Sequence, residues 1–211
     1  MDGIMLEEDP QHRETLLGIT IDTNLKWHGQ IETMLEKLKS RLAGLAHVRF
    51  VLQYNLRKLV SEGVFNSVLG YCLPLFGGCD SGEIHDLQVM QNKAAQIITH
   101  SPPRAHRSTM YDTLQWLTVK QLIFYHSAIT VFKIRDNRKP EHLSEILCQD
   151  NRNKRIIIPN LDLKLAQKTF SMRAAENWNQ IPLEIRSQPK ICNFKKLAKK
   201  WILDNVPKFL E

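Results

Sequence analysis

Lys195, Lys196, Lys199 and Lys200 recur at i, i+1, i+4 and i+5, which lays four ammonium groups along one side of a helix, with Arg186 and Lys190 just before them. A stripe of this kind can follow a phosphate backbone. The same spacing also describes the solvated face of an ordinary amphipathic helix, and charge pattern alone leaves both readings open. Other chemistries find little to work with. The eight histidines (His12, His28, His47, His85, His100, His106, His126 and His142) show no ligand spacing and read as surface or partly buried side chains. Cys72, Cys79, Cys148 and Cys192 stand far apart with no C-x-x-C pair, which argues against a zinc site and against a disulfide framework. No P-loop, no H-E-x-x-H and no nucleophile elbow occurs. The acids are dispersed. Tyr111-Asp112 is followed by Thr113, and no Asp-Asp dipeptide exists to hold a pair of magnesium ions.

The chain has 211 residues, enough for one large domain or two small ones, and 43% of them are hydrophobic, enough for a core. The net charge of +7 is uneven: residues 1–132 hold 12 Lys+Arg against 13 Asp+Glu, and residues 133–211 hold 17 against 9. A basic second half suits a polyanionic partner, or simply keeps the surface solvated. Reduced cysteines, no secretory leader and no apolar run near the ~20 residues of a membrane span lead to the expectation of a soluble intracellular protein, nuclear or cytoplasmic, with no membrane partner, cofactor or metal.

The elements that would position these residues are mostly helical. Residues 1–14 read as a disordered tail and residues 16–22 as a short strand, turning at Asp22-Thr23-Asn24. A helix follows with Ile31, Leu35, Leu38, Leu42 and Leu45 on one stripe and Lys37, Lys39 and Arg41 off it. A second helix places Leu56, Leu59, Val60, Val64 and Val68 inward and stops near Gly70, and Pro74 with Gly77-Gly78 makes a loop. A third spans about 82–100 with Leu87, Met90, Ala94 and Ile97 inward, ended by Pro102-Pro103. Arg104, His106 and Arg107 form a basic linker, the expected boundary between domains 15–103 and 104–211. Beyond it come a short piece at Met110–Leu114, a long helix from Val119 to Arg135 with Leu122, Tyr125, Ile129 and Phe132 inward, and a short helix Glu141–Leu147. Arg155 to Pro159 suggests an edge strand that pairs with Leu161–Leu165 as a hairpin. A helix with Phe170, Ala174 and Trp178 on one face ends at Pro182. The last helix, 191–204, turns Phe194, Leu197, Ala198, Trp201 and Ile202 inward. The tryptophans Trp27, Trp116, Trp178 and Trp201 read as core rather than as base-stacking platforms. The fold class is mainly α: helical bundles with one short N-terminal strand and a small hairpin in the second half.

Several strings form an ordered set. Leu17-Gly18-Ile19-Thr20-Ile21-Asp22 with Leu25-Lys26-Trp27 comes first. Leu87-Gln88-x-x-Gln91-Asn92-Lys93-Ala94-Ala95, Leu114-x-Trp116-Leu117 and Pro140-Glu141-His142-Leu143 follow. Phe170-x-x-Arg173-Ala174-Ala175-x-x-Trp178-Asn179-x-x-Pro182 and Phe194-Lys195-Lys196-x-x-Lys199 close the series. Together, over residues 15–204, this order resembles the thumb and following C-terminal region of reverse transcriptases (RNA-directed DNA polymerases) from jockey-type non-LTR retrotransposons, a family of transposable elements. Gln96 stands where that family usually carries arginine, and His100-Ser101-Pro102-Pro103 where it usually has glycine.

The resemblance implies a chain without the catalytic palm, and hence no polymerase activity of its own. Leu17-Gly18 is similar to the primer grip, and the helices after it to those that track an RNA–DNA hybrid. The nucleic-acid-binding residues so implied are Leu17, Gly18, Lys26, Lys37, Arg41, Lys93, Arg104 and Arg107, with Lys39 beside them; Lys195, Lys196, Lys199 and Lys200 are the second candidate surface. Hybrids are held by shape and phosphate, so dispersed cations beside apolar helices suffice. The expected partners are an RNA–DNA hybrid or structured RNA, a catalytic palm supplied in trans, or a second copy. Two competing expectations are a helical interaction or oligomerisation module and a remnant without function.

Overall fold

The computed structural model of the protein describes residues 13–22, 27–148, 154–158 and 169–206. Its fold is mainly α, with one two-stranded antiparallel sheet, β1 (Arg13–Leu16) and β2 (Ile19–Asp22), among the described residues. Leu16 pairs with Ile19, so Leu17 and Gly18 are the whole connection. Both have positive φ, 51° and 77°, the geometry of the two-residue turn whose twist matches a hairpin. The single strand expected over 16–22 is therefore corrected: it is the second arm of a hairpin, and pairing reaches back into residues assigned to the tail. Residues 1–12 lie outside the described residues.

Helix α1 (His28–Val48) buries Ile31, Met34, Leu38, Leu42 and Leu45 and exposes Lys37, Lys39 and Arg41, in keeping with its stripe. The next segment departs from expectation. Helix α2 (Tyr54–Ser61) runs through a π turn (Glu62–Asn66) into α3 (Ser67–Gly70). The buried row is Ser61, Phe65 and Leu69, whereas Leu56 and Leu59 are 50% and 64% exposed and Val64 is also exposed. Residues spaced by four drift around an ordinary helix of 3.6 residues per turn; a turn closed i→i+5 takes up the excess and keeps the row on one side. The core takes a phenylalanine and a leucine; of the expected stripe, Leu56, Leu59 and Val64 face outward, while Val60 and Val68 pack partly buried against the core.

Gly77-Gly78 follows one helical turn, α4 (Leu73–Phe76), with Leu73 and Phe76 fully buried where a loop was expected. A methyl group on Gly77 would lie 2.5 Å from Ile123 Cγ2 and 2.7 Å from Arg173 Nη1, so glycine permits this close approach. Helix α5 (Ser81–Thr99) opens on a capping box between Asp80 and Glu83 and packs on α1; Ile98 is its buried end residue, with Ile97 half-buried. Helix α6 (Arg107–Leu114) leads to α7 (Val119–Asn137), which opens on a second capping box, Thr118 with Gln121.

Helix α7 is buried around most of its circumference, from Ile123 and Phe124 to Ser127, Ala128, Val131 and Ile134, which marks a central helix. Leu122 and Tyr125, expected inward, are only half-buried. One core gathers α1, α3, α4, α5, α6 and the start of α7; the other gathers the rest of α7 with α8 (Glu141–Leu147), α9 (Phe170–Gln180) and α11 (Ile191–Asn205), reached through α10 (Leu183–Arg186). The cores divide along α7. Met110, Tyr111 and Leu114 belong to the first core, so its edge does not coincide with the boundary expected at 103/104.

In the second core Phe194 stacks on Phe132 at 4.7 Å and lies 5.7 Å from Trp178. Leu197, expected inward, is exposed, because the buried row of α11 is Phe194, Ala198 and Ile202. Of the strand expected over 155–159, the described residues 154–158 show a single bridge residue, Ile156, whose backbone N–H donates to Asn179 Oδ1 (2.8 Å) and whose carbonyl accepts from Asn179 Nδ2 (2.9 Å). Residues 161–165, its expected hairpin partner, lie outside the described residues. No described helix is long and apolar enough to cross a membrane.

Candidate nucleic-acid interface

The turn of the hairpin meets α1 and α3 at a groove of about 330 Å³ lined by Leu17, Gly18, Gln30, Met34, Lys37, Ser67, Val68 and Tyr71. Two hydrogen bonds hold the hairpin there. Tyr71 Oη donates to the Leu17 carbonyl (2.7 Å), and the Thr20 N–H donates to Gln30 Oε1 (2.8 Å). Leu17 is 83% exposed at the rim in a left-handed conformation that disfavours leucine. Three of the residues implied by the resemblance, Leu17, Gly18 and Lys37, thus line one site. Arg41 is exposed one turn beyond Lys37 on α1. Lys26 lies outside the described residues.

Beside this groove the end of α3 approaches α7. Tyr71 adjoins Gly70, and a methyl built on Gly70 would lie 3.5 Å from His126 Nε2 of α7. Burial lowers the His126 pKa, and the positive charges of Lys195 on α11 and Lys133 on α7 lower it further. Lys195, Lys196 and Lys200 are exposed on α11 and Lys199 is half-buried. Lys133, Tyr71 and Gln30 are not legible in the sequence as members of the surface. Tyr71 and Gln30 gain their places from partners in another element, and the outward position of Lys133 on α7 is the one local signal.

Lys93 on α5, Arg104 and Arg107 are exposed, but none of them lines the groove. The Tyr111 hydroxyl, four residues beyond Arg107, donates to Asn92 Oδ1 (2.8 Å) and ties α6 to α5. Arg186, read beside the lysine stripe, is corrected. It is 7% exposed and donates from Nε to the Ile181 carbonyl (2.8 Å) and from Nη1 to the Lys154 carbonyl (2.6 Å). Other arginines are spent similarly on carbonyls at helix ends. Arg57 serves Ile98, Arg49 and Leu52; Arg135 serves Leu147; Arg173 serves Pro74 and Leu75. Lysines supply most of the exposed cations.

The polar residues of the resembling strings are likewise used within the chain. Gln88 accepts from the Val119 N–H (2.9 Å) and donates to Tyr111 Oη (2.6 Å), while Gln91 donates to the Leu117 carbonyl (2.9 Å). Together they pin the α6–α7 connection to α5. Gln96, at the family's arginine position, donates to the Pro102 carbonyl (2.8 Å). Trp178 Nε1 donates to the Lys154 carbonyl, and its ring is fully buried. Trp116 is buried; Trp27 is half-buried, 6.1 Å from Phe76.

A second cleft, between the cores, holds Cys79, Lys120, Arg173 and Glu176. Burial and the Glu83 carboxylate push the Cys79 thiol up to about 12, so it is a thiol and no nucleophile at neutral pH. Among the described residues no group of three or more His, Cys, Asp or Glu is arranged to hold a metal ion. No family model, curated protein or solved structure matches the chain.

Proposed function

We propose that this chain binds the phosphate backbone of RNA, DNA or their hybrid, as a thumb-like helical clamp of reverse-transcriptase kind that performs no nucleotide transfer itself. The supporting observation is that Leu17, Gly18 and Lys37 line one groove, with Tyr71 donating to the Leu17 carbonyl, while Lys195, Lys196 and Lys200 stand exposed along α11. Lysines on helical scaffolding recognise phosphate and shape rather than base edges. Binding is therefore expected to be sequence-tolerant and salt-sensitive, log K falling with log salt by about 0.9 per phosphate contact on a duplex and about 0.7 on a single strand. Fluorescence anisotropy with a labelled RNA–DNA hybrid across a salt series tests it, and a flat salt response overturns it. Primer extension with deoxynucleotides and Mg²⁺ is expected to give no product.

A second reading, an interaction or oligomerisation module, draws on a different observation: Leu56, Leu59 and Val64 are exposed on α2 and the π turn, and Leu16, Leu17 and Tyr71 are exposed at the hairpin turn. Apolar groups grouped on a surface mark contact sites. A light-scattering mass above that of one chain, without nucleic-acid binding, selects this reading.

A further inference from the structure

At the turn between α1 and α2, Phe50 and Val51 are 76% and 82% exposed, in a segment that is otherwise firmly held. The N–H groups of Val51 and Leu52 donate to the Val48 carbonyl (3.1 and 3.0 Å). Arg57 donates from Nη1 to the Arg49 and Leu52 carbonyls (2.7 and 2.9 Å) and from Nε to the Ile98 carbonyl of α5 (3.2 Å). His100 Nε2 donates to the Arg49 carbonyl (2.9 Å). His100 ends α5 in the left-handed conformation that usually goes to glycine, and unlike glycine it brings an imidazole to the turn. Its ring lies 5.7 Å from that of Phe50, and the Arg49 guanidinium sits 4.3 Å from the Phe50 centroid. The turn is thus tied down from two helices, yet the aromatic ring it displays belongs to neither core.

We propose that Phe50 is a stacking platform for an unpaired base of a single-stranded RNA or DNA segment, with Arg49 and the cations around the turn meeting the flanking phosphates. The proposal rests on the polyanion reading above and adds a base contact to it. Charge singles out this partner. Between Glu36 and Glu62 the chain carries six Lys or Arg and no acid, and between Asp86 and Asp112 it carries Lys93, Arg104 and Arg107 and no acid. These two segments supply every contact of the turn named above, so the ring sits where two acid-free runs meet, which suits a polyanion. An exposed aromatic beside an arginine suits a base, because every base presents a π face. Bases inside a duplex are already stacked on both sides, so the ring takes an unpaired one. Because the turn is held before the strand arrives, little ordering is left to oppose binding.

The test is anisotropy with two labelled strands of equal length and phosphate number, oligo(dT) and a fully abasic oligomer, using the full chain as wild type, Phe50→Ala and Phe50→Trp. Phe50→Ala is expected to weaken oligo(dT) binding about tenfold, to leave abasic binding and the salt slope unchanged, and to unfold at the wild-type temperature because the ring is exposed. Phe50→Trp, which keeps a π face, is expected to hold oligo(dT) at least as tightly as wild type; a loss equal to that of Phe50→Ala overturns the proposal. Equal oligo(dT) affinities of wild type and Phe50→Ala, at an intact salt response, overturn the stacking alone, as does an equal loss on both strands. Absence of binding to oligo(dT), the abasic oligomer and an RNA–DNA hybrid overturns the stacking and the polyanion reading together. A light-scattering mass above one chain that falls to one chain in Phe50→Ala marks the ring as a protein contact and overturns the proposal.

Discussion

At the α1–α3 groove a single lysine, Lys37, stands among apolar, amide and hydroxyl side chains, whereas on α11 four lysines stand over a helix whose opposite row is core. The groove is built by tertiary contact: a hairpin turn, a tyrosine donating to a carbonyl, and a helix re-aimed by a π turn. The lysine ridge is built by periodicity alone. One end therefore offers shape with little charge and the other charge with little shape. Binding strength and its salt dependence should come mainly from the ridge, and register on the partner from the groove.

The largest effect should come from beneath the groove. Phe65→Ala is expected to cost about 3–5 kcal/mol in urea unfolding, against under about 1 kcal/mol for Val64→Ala next to it, because one ring is fully buried and the other side chain is exposed. Equal costs would mean that the π turn does not set the face. Next, changing Lys195, Lys196, Lys199 and Lys200 together to Gln should weaken hybrid binding about tenfold or more and lower the salt slope by about 0.9 for each phosphate no longer neutralised. Lys37→Gln should lower the slope by the share of a single phosphate at most, and a larger drop there would reverse the ranking of the two ends. Tyr71→Phe should cost about 0.5–1.5 kcal/mol by removing its bond to the Leu17 carbonyl. Smallest, Leu17→Asn should add a few tenths to about 1 kcal/mol of stability by easing the left-handed turn, yet weaken binding if the exposed leucine touches the partner.

The same contrast explains what is legible in the sequence. The apolar rows of α1 and α5, the span of α8 and the lysine face of α11 follow from local periodicity and punctuation, and the structure places them where those signals put them. The hairpin escapes such a reading because its turn, Leu17-Gly18, lacks the usual Asn-Gly signature and its first strand looks like tail. The outer face of α2 misleads because leucines at 56 and 59 advertise burial as strongly as Phe65 does, and only the shape of the core decides between them. Arg186 resembles its basic neighbours until carbonyls from Ile181 and Lys154 claim it. The groove itself joins residues 17, 37 and 71, and no local pattern announces that meeting.

Both hydrophobic centres are built on α7, one at its start and the other along its remaining length. Neither half can melt without baring part of that helix. Heating should therefore give one calorimetric transition whose van't Hoff and calorimetric enthalpies agree, and limited proteolysis should release no long-lived half-molecule.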